Sequence, residues 1–144
     1  RQLALVTNGF ARAGVPDREV FRRLADRALE QLELFEPRDA ALLLNAYAKL
    51  EFRDAALFEA FARHLCRQPP DGYGEQQLAL VANAYARLAI GDVPLFQHLS
   101  GWIINAAAEF SAQGVATVVN AYAKVLLRDA ALLRAMDGQV LRRL

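Results

Sequence analysis

The stretch LLLNAYAKLEFRDAALF at residues 42–58 decides the fold, because its pattern recurs along the chain at a nearly constant spacing. Similar stretches are LALVANAYARLAIGDVPLF at 78–96 and VATVVNAYAKVLLRDAALL at 115–133, and a more divergent copy surrounds Asn8. Successive copies are offset by 37, 38 and 37 residues. The aligned columns hold an asparagine at Asn8, Asn45, Asn83 and Asn120, an aromatic ring at Phe10, Tyr47, Tyr85 and Tyr122, an alanine at Ala11, Ala48, Ala86 and Ala123, and an aspartate at Asp17, Asp54, Asp92 and Asp129. Self-similarity of this length predicts a stack of similar structural units.

Each repeat predicts a pair of helices. In the third copy, apolar residues follow the i, i+3, i+4, i+7 rule and form one stripe that a helix can bury, at Leu78, Val81, Ala82 and Tyr85. The predicted first helices run roughly over Gln2 to Ala13, Arg38 to Leu50, Gln76 to Leu88 and Gln113 to Val125. The aspartate nine residues after each asparagine precedes a second apolar run. Because a carboxylate at that place accepts from free backbone N–H groups, we expect the aspartates to cap the second helices.

The sequence therefore predicts an all-α fold, an α-solenoid of four helix-turn-helix repeats of about 37 residues each, with eight helices in one domain over residues 1–144. The approximate repeats are 1–36, 37–74, 75–112 and 113–144. The small residue beside each asparagine predicts that neighbouring first helices approach closely, at Gly9, Ala46, Ala84 and Ala121. Since the pattern is under way at Arg1 and continues to Leu144, we expect the chain to be a fragment of a longer protein.

Composition and motifs exclude several classes of function. The single cysteine, Cys66, rules out an internal disulfide, and no apolar run is long enough to predict membrane insertion. His64 and Cys66 point to different faces of a helix and His98 belongs to another repeat, so no metal site is expected. Without a phosphate loop or a nucleophile near a base, neither an enzyme nor a bound cofactor is expected. Trp102 lies in an apolar run and is expected in the core.

A cation follows each asparagine by four residues, so every first helix is expected to present an amide and a positive charge on one face. The pairs are Asn8 with Arg12, Asn45 with Lys49, Asn83 with Arg87, and Asn120 with Lys124. Four residues before each asparagine the same face carries only an alanine, at Ala4, Ala41, Ala79 and Ala116. Because packed helices lie about 8 to 10 Å apart, stacked repeats would turn the pairs into two parallel ladders along a groove.

The charge distribution favours a nucleic acid along that groove. The formal net charge is only +1, yet the predicted first helices, with Arg1, hold six cations against the single anion Asp39, a balance of +5. The rest of the chain holds 11 cations against 15 anions, a balance of −4. This asymmetry is typical of a surface that faces nucleic acid.

Two structural roles remain open for the same residues. A partly buried asparagine must find partners, and it could bond the backbone of the next repeat. The cations lie near the C-terminal ends of the predicted helices, where they also complement the helix dipole. Base contact and inter-repeat bonding are therefore both expected roles of the asparagines.

The three quoted stretches, with their N-A-Y-A-K/R core followed by an aspartate, resemble the heptatricopeptide and octotricopeptide repeats of organellar RNA-binding proteins, including RAP-domain and FAST-kinase-like proteins. The resemblance covers essentially the whole chain, although no RAP module is recognisable. Repeat one departs from the pattern, with Gly9 and Phe10 where the other copies have alanine and tyrosine. Its contact with RNA is accordingly the least well supported.

The resemblance implies a mitochondrial protein, or alternatively a plastid one, that binds single-stranded or ribosomal RNA in RNA processing, stability or translation, or as a component of the mitochondrial ribosome. Its RNA-binding residues would be the eight residues of the asparagine and cation pairs. The alternative hypothesis is a protein-interaction scaffold within a large organellar assembly, favoured by the near-neutral total charge and the apolar ends of the solenoid.

Overall fold

A computed structural model describes residues 1–14, 17–125 and 134–138, and this part of the chain is helical without any β-strand. The helices are α1 (Gln2–Ala13), α2 (Arg18–Glu30), α3 (Pro37–Lys49), α4 (Ala55–Cys66), α5 (Glu75–Arg87), α6 (Val93–Ala106) and α7 (Ala112–Lys124). Short 3-10 turns at Leu32–Leu34 and Ala107–Glu109 follow α2 and α6. Residues 134–138 are also helical, where the sequence predicts the eighth helix. The predicted all-α helical-repeat solenoid is confirmed.

Three of the first helices begin one residue earlier than the sequence predicts. Pro37 is the first residue of α3, because its fixed φ suits a helix and its missing N–H needs no partner there. Glu75 begins α5, where its negative charge complements the positive end of the helix dipole. Glu75 therefore belongs to the first-helix layer.

The aspartates cap the second helices as predicted. The Asp17 carboxylate accepts from the backbone N–H groups of Glu19 and Val20 at 3.1 and 3.2 Å. Asp54 accepts from Leu57 N, and Asp92 from Leu95 N, each at 3.0 Å. The prediction for Asp129 lies outside the described residues. These caps fix where each second helix starts relative to the asparagine nine residues earlier.

The first helices form one layer of the solenoid, in which α1, α3, α5 and α7 pack side by side in that order. The second helices lie farther from one another. Because an array whose two layers differ in spacing curves toward the tighter layer, we infer that the first helices line its concave side. Ala46, Ala84 and Ala121 are fully buried in this layer, which confirms the predicted close approach at those positions.

The prediction of close approach is wrong at Gly9. A Cβ added to Gly9 would meet no atom within 4 Å, and the residue is exposed. The physical reason is that its side of α1 has no neighbouring helix within the described residues.

A tyrosine joins each of α3, α5 and α7 to the second helix of the preceding repeat. The Tyr85 hydroxyl donates to the backbone carbonyl of Phe58 at 2.6 Å, and the two rings pack edge to face with centroids 4.9 Å apart. Tyr47 makes the same hydrogen bond and ring contact with Phe21. Tyr122 donates to the Phe96 carbonyl at 2.8 Å, with ring centroids 5.0 Å apart. The same joint therefore holds three successive repeat boundaries.

The joints are buried, and their burial changes the acidity of the phenols. Desolvation, with a smaller contribution from nearby aspartates, raises the pKa of Tyr47 and Tyr85 well above its usual value. Burial also raises the pKa of Tyr73 to about 12, although the Tyr73 hydroxyl forms no hydrogen bond within the described residues. Tyr73 is thus a buried tyrosine outside the joints.

Replacing a joint tyrosine by phenylalanine should destabilise the fold. We expect Tyr85→Phe to lower the free energy of unfolding by about 1 kcal/mol, because the ring contact survives and one buried hydrogen bond is lost. Tyr73→Phe is the matched control and should change the free energy by less than about 0.5 kcal/mol. Urea denaturation followed by circular dichroism measures both. Equal effects of the two substitutions would show that the hydroxyl does not join the repeats.

Candidate nucleic-acid interface

The asparagine column lies along the junctions between successive first helices. Asn45 is 9% exposed, Asn8 and Asn83 are half-buried, and Asn120 is exposed. These differences in exposure follow from packing, because the asparagine side of α1, α3 and α5 faces the next first helix. Within the described residues no helix covers that side of α7. The structure thus places Asn8, Asn45 and Asn83 at equivalent helix junctions and leaves Asn120 at an open face.

The asparagine amides do not join the repeats within the part of the chain that the structure describes. None of the four forms a hydrogen bond there, and none of their amide atoms is shut off from solvent while lacking a partner. No hydrogen bond therefore joins an asparagine to the backbone of the next repeat within the described residues. The hydrogen bonds between repeats come from the tyrosine hydroxyls instead. Each amide therefore keeps its donors and its acceptor free of internal hydrogen bonds within the described residues, and the Asn83 amide lines a groove that a ligand can enter.

The four cations lie at the C-terminal ends of the first helices and are exposed, at Arg12, Lys49, Arg87 and Lys124. Helical side chains tilt back toward the N-terminus, so each cation extends over the turn that holds its asparagine. None forms an ion pair within the described residues. On α2, by contrast, Glu19 binds Arg22 and Arg23, and Arg27 pairs with Glu30. The first-helix cations are free to neutralise an external anion.

The predicted charge balance of the first helices needs a correction. Because α5 begins at Glu75, the layer with Arg1 holds six cations against the two anions Asp39 and Glu75, a balance of +4 instead of +5. The layer remains positive, and the added carboxylate lies in the groove itself.

An open groove of about 430 Å³ separates α5 from α7, a volume typical of ligand sites. Asn83 lies in it beside Ala79, the alanine that the sequence predicts to keep this face open. Most of the other polar groups that line it are Glu75, Gln76, Gln113 and Thr117. Sequence reasoning missed these residues. The signal was available, because the position seven residues before each asparagine, on the same helix face, is polar in every repeat: Arg1, Arg38, Gln76 and Gln113.

A carboxylate crosses this groove and links the two helices. Glu75 Oε1 accepts from the backbone N–H of Ser111 at 2.9 Å and from the Ser111 hydroxyl. Ser111 is the N-cap of α7, and its Oγ accepts from Gly114 N at 3.1 Å. A Cβ added to Gly114 would overlap the Glu75 carboxylate. Glycine is therefore required at 114 for Glu75 to reach the positive end of α7.

The remaining candidates of the sequence belong to the interior. Trp102 is 7% exposed and packs against Tyr73 and His98, so its predicted place in the core is confirmed. His64 is 4% exposed, and its Nδ1 lies 3.7 Å from a Glu33 carboxylate oxygen. The described residues contain no group of three His, Cys, Asp or Glu side chains placed to hold a metal ion. Nor does any described helix have the length and apolarity that crossing a bilayer requires.

Comparison with known families matches residues 1–144 to the RNA-editing substrate-binding complex 6 protein, RESC6. The chain belongs to the RESC6 family. This family is RNA-related and mitochondrial, which agrees with the coarser part of the resemblance seen in the sequence. No match specific to heptatricopeptide, octotricopeptide or RAP proteins supports that finer assignment, and neither the ribosome nor the plastid gains support. A search of curated proteins gives no significant match.

Filling the space beside Gly114 should weaken the fold relative to the same change at a glycine in open space. Gly101 is the matched control, an exposed helical glycine with no atom within 4 Å of an added Cβ, and Gly101→Ala should raise the free energy of unfolding by about 0.5 to 1 kcal/mol through helix propensity. Gly114→Ala gains the same propensity, but its methyl group displaces the Glu75 carboxylate and removes the hydrogen bonds to Ser111. We therefore expect its free energy of unfolding to be about 1 kcal/mol lower than that of Gly101→Ala. Thermal and urea unfolding measure both, and equal stabilisation by the two substitutions would contradict the Glu75 contact.

Proposed function

We propose that this protein binds single-stranded RNA along the concave face of its first helices, as a mitochondrial component of an RNA-editing substrate-binding complex. The main support for the proposal is that the same pair of polar groups recurs at the same position in every repeat. Exposed cations without ion pairs and amides without hydrogen bonds recur together on one layer of the solenoid, once in each repeat. The description of the family to which the chain belongs names an RNA-editing substrate-binding complex, and this supports RNA as the ligand.

The chemistry of the site suits an extended strand. Cations bind phosphates without regard to sequence, and amides can both donate to and accept from base edges. Helical-repeat proteins present one such set per repeat, so that successive nucleotides meet successive repeats. The Ser111 hydroxyl at this groove caps α7 and donates to Glu75, and the proposal assigns the groove binding rather than catalysis.

A second function, binding of a partner protein, is favoured by the side of α1 that faces away from Asn8. Val6 lies on that side and is 48% exposed. The equivalent valines of α5 and α7, Val81 and Val118, are fully buried. Val6 is therefore ready to receive an apolar surface. Such a contact is compatible with RNA on the concave face, because the two surfaces are distinct.

Removing the four cations that follow the asparagines should greatly reduce the dependence of RNA binding on salt. Single strands release about 0.7 counterion per phosphate contact, so four contacts contribute about −3 to the slope of log K against log salt. We expect the fourfold variant Arg12→Gln, Lys49→Gln, Arg87→Gln, Lys124→Gln to lose most of this slope and to bind weakly. Fluorescence anisotropy with a mixed single-stranded RNA pool at several salt concentrations measures the slope.

The matched control removes the same charge from the outer layer. It carries Arg22→Gln, Arg23→Gln, Arg27→Gln and Arg63→Gln, all at exposed positions of α2 and α4. This variant should keep most of the slope, provided that circular dichroism shows both variants to be helical. Equal loss in the two variants would mean that net charge alone attracts RNA. An unchanged slope in the groove variant would remove the cations from the RNA site.

A further inference from the structure

The groove between α5 and α7 contains a carboxylate at a position where α3 and α7 have none. The position eight residues before the asparagine is Glu75 in α5, Pro37 in α3 and Ala112 in α7. A carboxylate only accepts hydrogen bonds, whereas the amides around it both donate and accept. The groove beside Asn83 therefore differs chemically from the groove beside Asn45.

Glu75 is held in one position. Its Oε1 accepts two hydrogen bonds from Ser111, the N-cap of α7, and Gly114 leaves the space that the carboxylate occupies. Within the described residues Oε2 forms no hydrogen bond, and it is not shut off from solvent. A fixed acceptor with a free oxygen thus faces the groove that Asn83, Gln76 and Gln113 line.

The carboxylate does not cancel the cation that serves the same groove. Twelve residues separate Glu75 from Arg87, which is about 18 Å along the helix axis. This separation exceeds the Debye length of about 8 Å at physiological ionic strength, so the repulsion of a phosphate near Arg87 is largely screened. The cation end of the groove suits phosphate, and the Glu75 end suits a group that donates hydrogen bonds.

We infer that, on the proposed RNA-binding function, the groove between α5 and α7 is a nucleobase site that prefers cytosine to uracil. Cytosine carries an exocyclic amine that a glutamate can accept from, as in base recognition elsewhere. Uracil presents a carbonyl oxygen at the same ring position, and its lone pairs oppose those of Oε2. The Asn83 amide can bond the remaining edge of either pyrimidine, so the choice between them rests on Glu75.

The test compares two RNA probes that differ only in the base edge, because cytosine has an amine and an unprotonated ring nitrogen where uracil has a carbonyl and an N–H group. Fluorescence anisotropy measures Kd for labelled oligocytidine and oligouridine of equal length at one salt concentration. We expect oligocytidine to bind about 5-fold more tightly, the effect of one hydrogen bond gained against one repulsive contact. In Glu75→Gln, whose amide can donate to the uracil carbonyl, the ratio of the two Kd values should fall close to one.

A control separates base selection from simple electrostatics. Glu109→Gln removes one negative charge from the exposed 3-10 turn beside α6, outside the lining of the groove. It should change both Kd values by the same factor and leave their ratio unchanged. Because the ratio is the readout, a general gain of affinity on losing a negative charge cannot imitate the result.

Each outcome decides between the two proposals. Salt-sensitive binding of both probes with a ratio that is near one, or that Glu75→Gln leaves unchanged, would overturn the base preference and leave RNA binding intact. Tighter binding of oligouridine by the unaltered protein would overturn it as well. Absence of salt-sensitive binding to either probe would contradict both the base preference and the proposed function.

Discussion

The hydrogen bond from a first-helix tyrosine to a phenylalanine carbonyl of the preceding repeat sets the geometry of everything else in the solenoid. In α5, Tyr85 lies two residues after Asn83 and two before Arg87. Successive residues of an α-helix are rotated by about 100°. Burying the tyrosine therefore turns both the asparagine and the cation toward the other side of the helix. The joint that stabilises the stack also aims the ladder into the concave face.

In this arrangement, the residues that hold the repeats together differ from those that are proposed to bind the ligand. The asparagines lie at tight helix junctions, yet their amides form no hydrogen bond within the described residues. The tyrosine hydroxyls form the hydrogen bonds that join the repeats. The cations show the same division, since Arg22, Arg23 and Arg27 of α2 pair within their own helix and the first-helix arginines do not. Polar groups without internal partners, repeated in register, favour a ligand that is itself repetitive. Membership of the RESC6 family agrees with RNA as that ligand.

The sequence predicts those features that depend on neighbours along the chain. The apolar period gives the helices, and a cap depends on an aspartate and an N–H only two or three residues later, as at Asp17 and Asp54. The tyrosine joints were not predicted, because donor and acceptor are 26 or 27 residues apart and the acceptor is a backbone carbonyl without a signature of its own. Glu75 and Ser111 are 36 residues apart, and only the stacking brings them together. The first-helix layer was expected to be more positive than it is because Glu75 lay just outside the predicted helix, which began at Gln76.

Ultraviolet cross-linking of the protein to single-stranded RNA, followed by mass spectrometry of the cross-linked peptides, tests the central claim most directly. The account predicts cross-links on the groove side of the first helices, in peptides containing Asn45 to Lys49 and Asn83 to Arg87, and their loss at high salt. Cross-links concentrated on the outer faces of α2, α4 and α6, with the first helices unmodified, would contradict it. In that case the concave layer would serve to stack the repeats, and RNA would bind elsewhere.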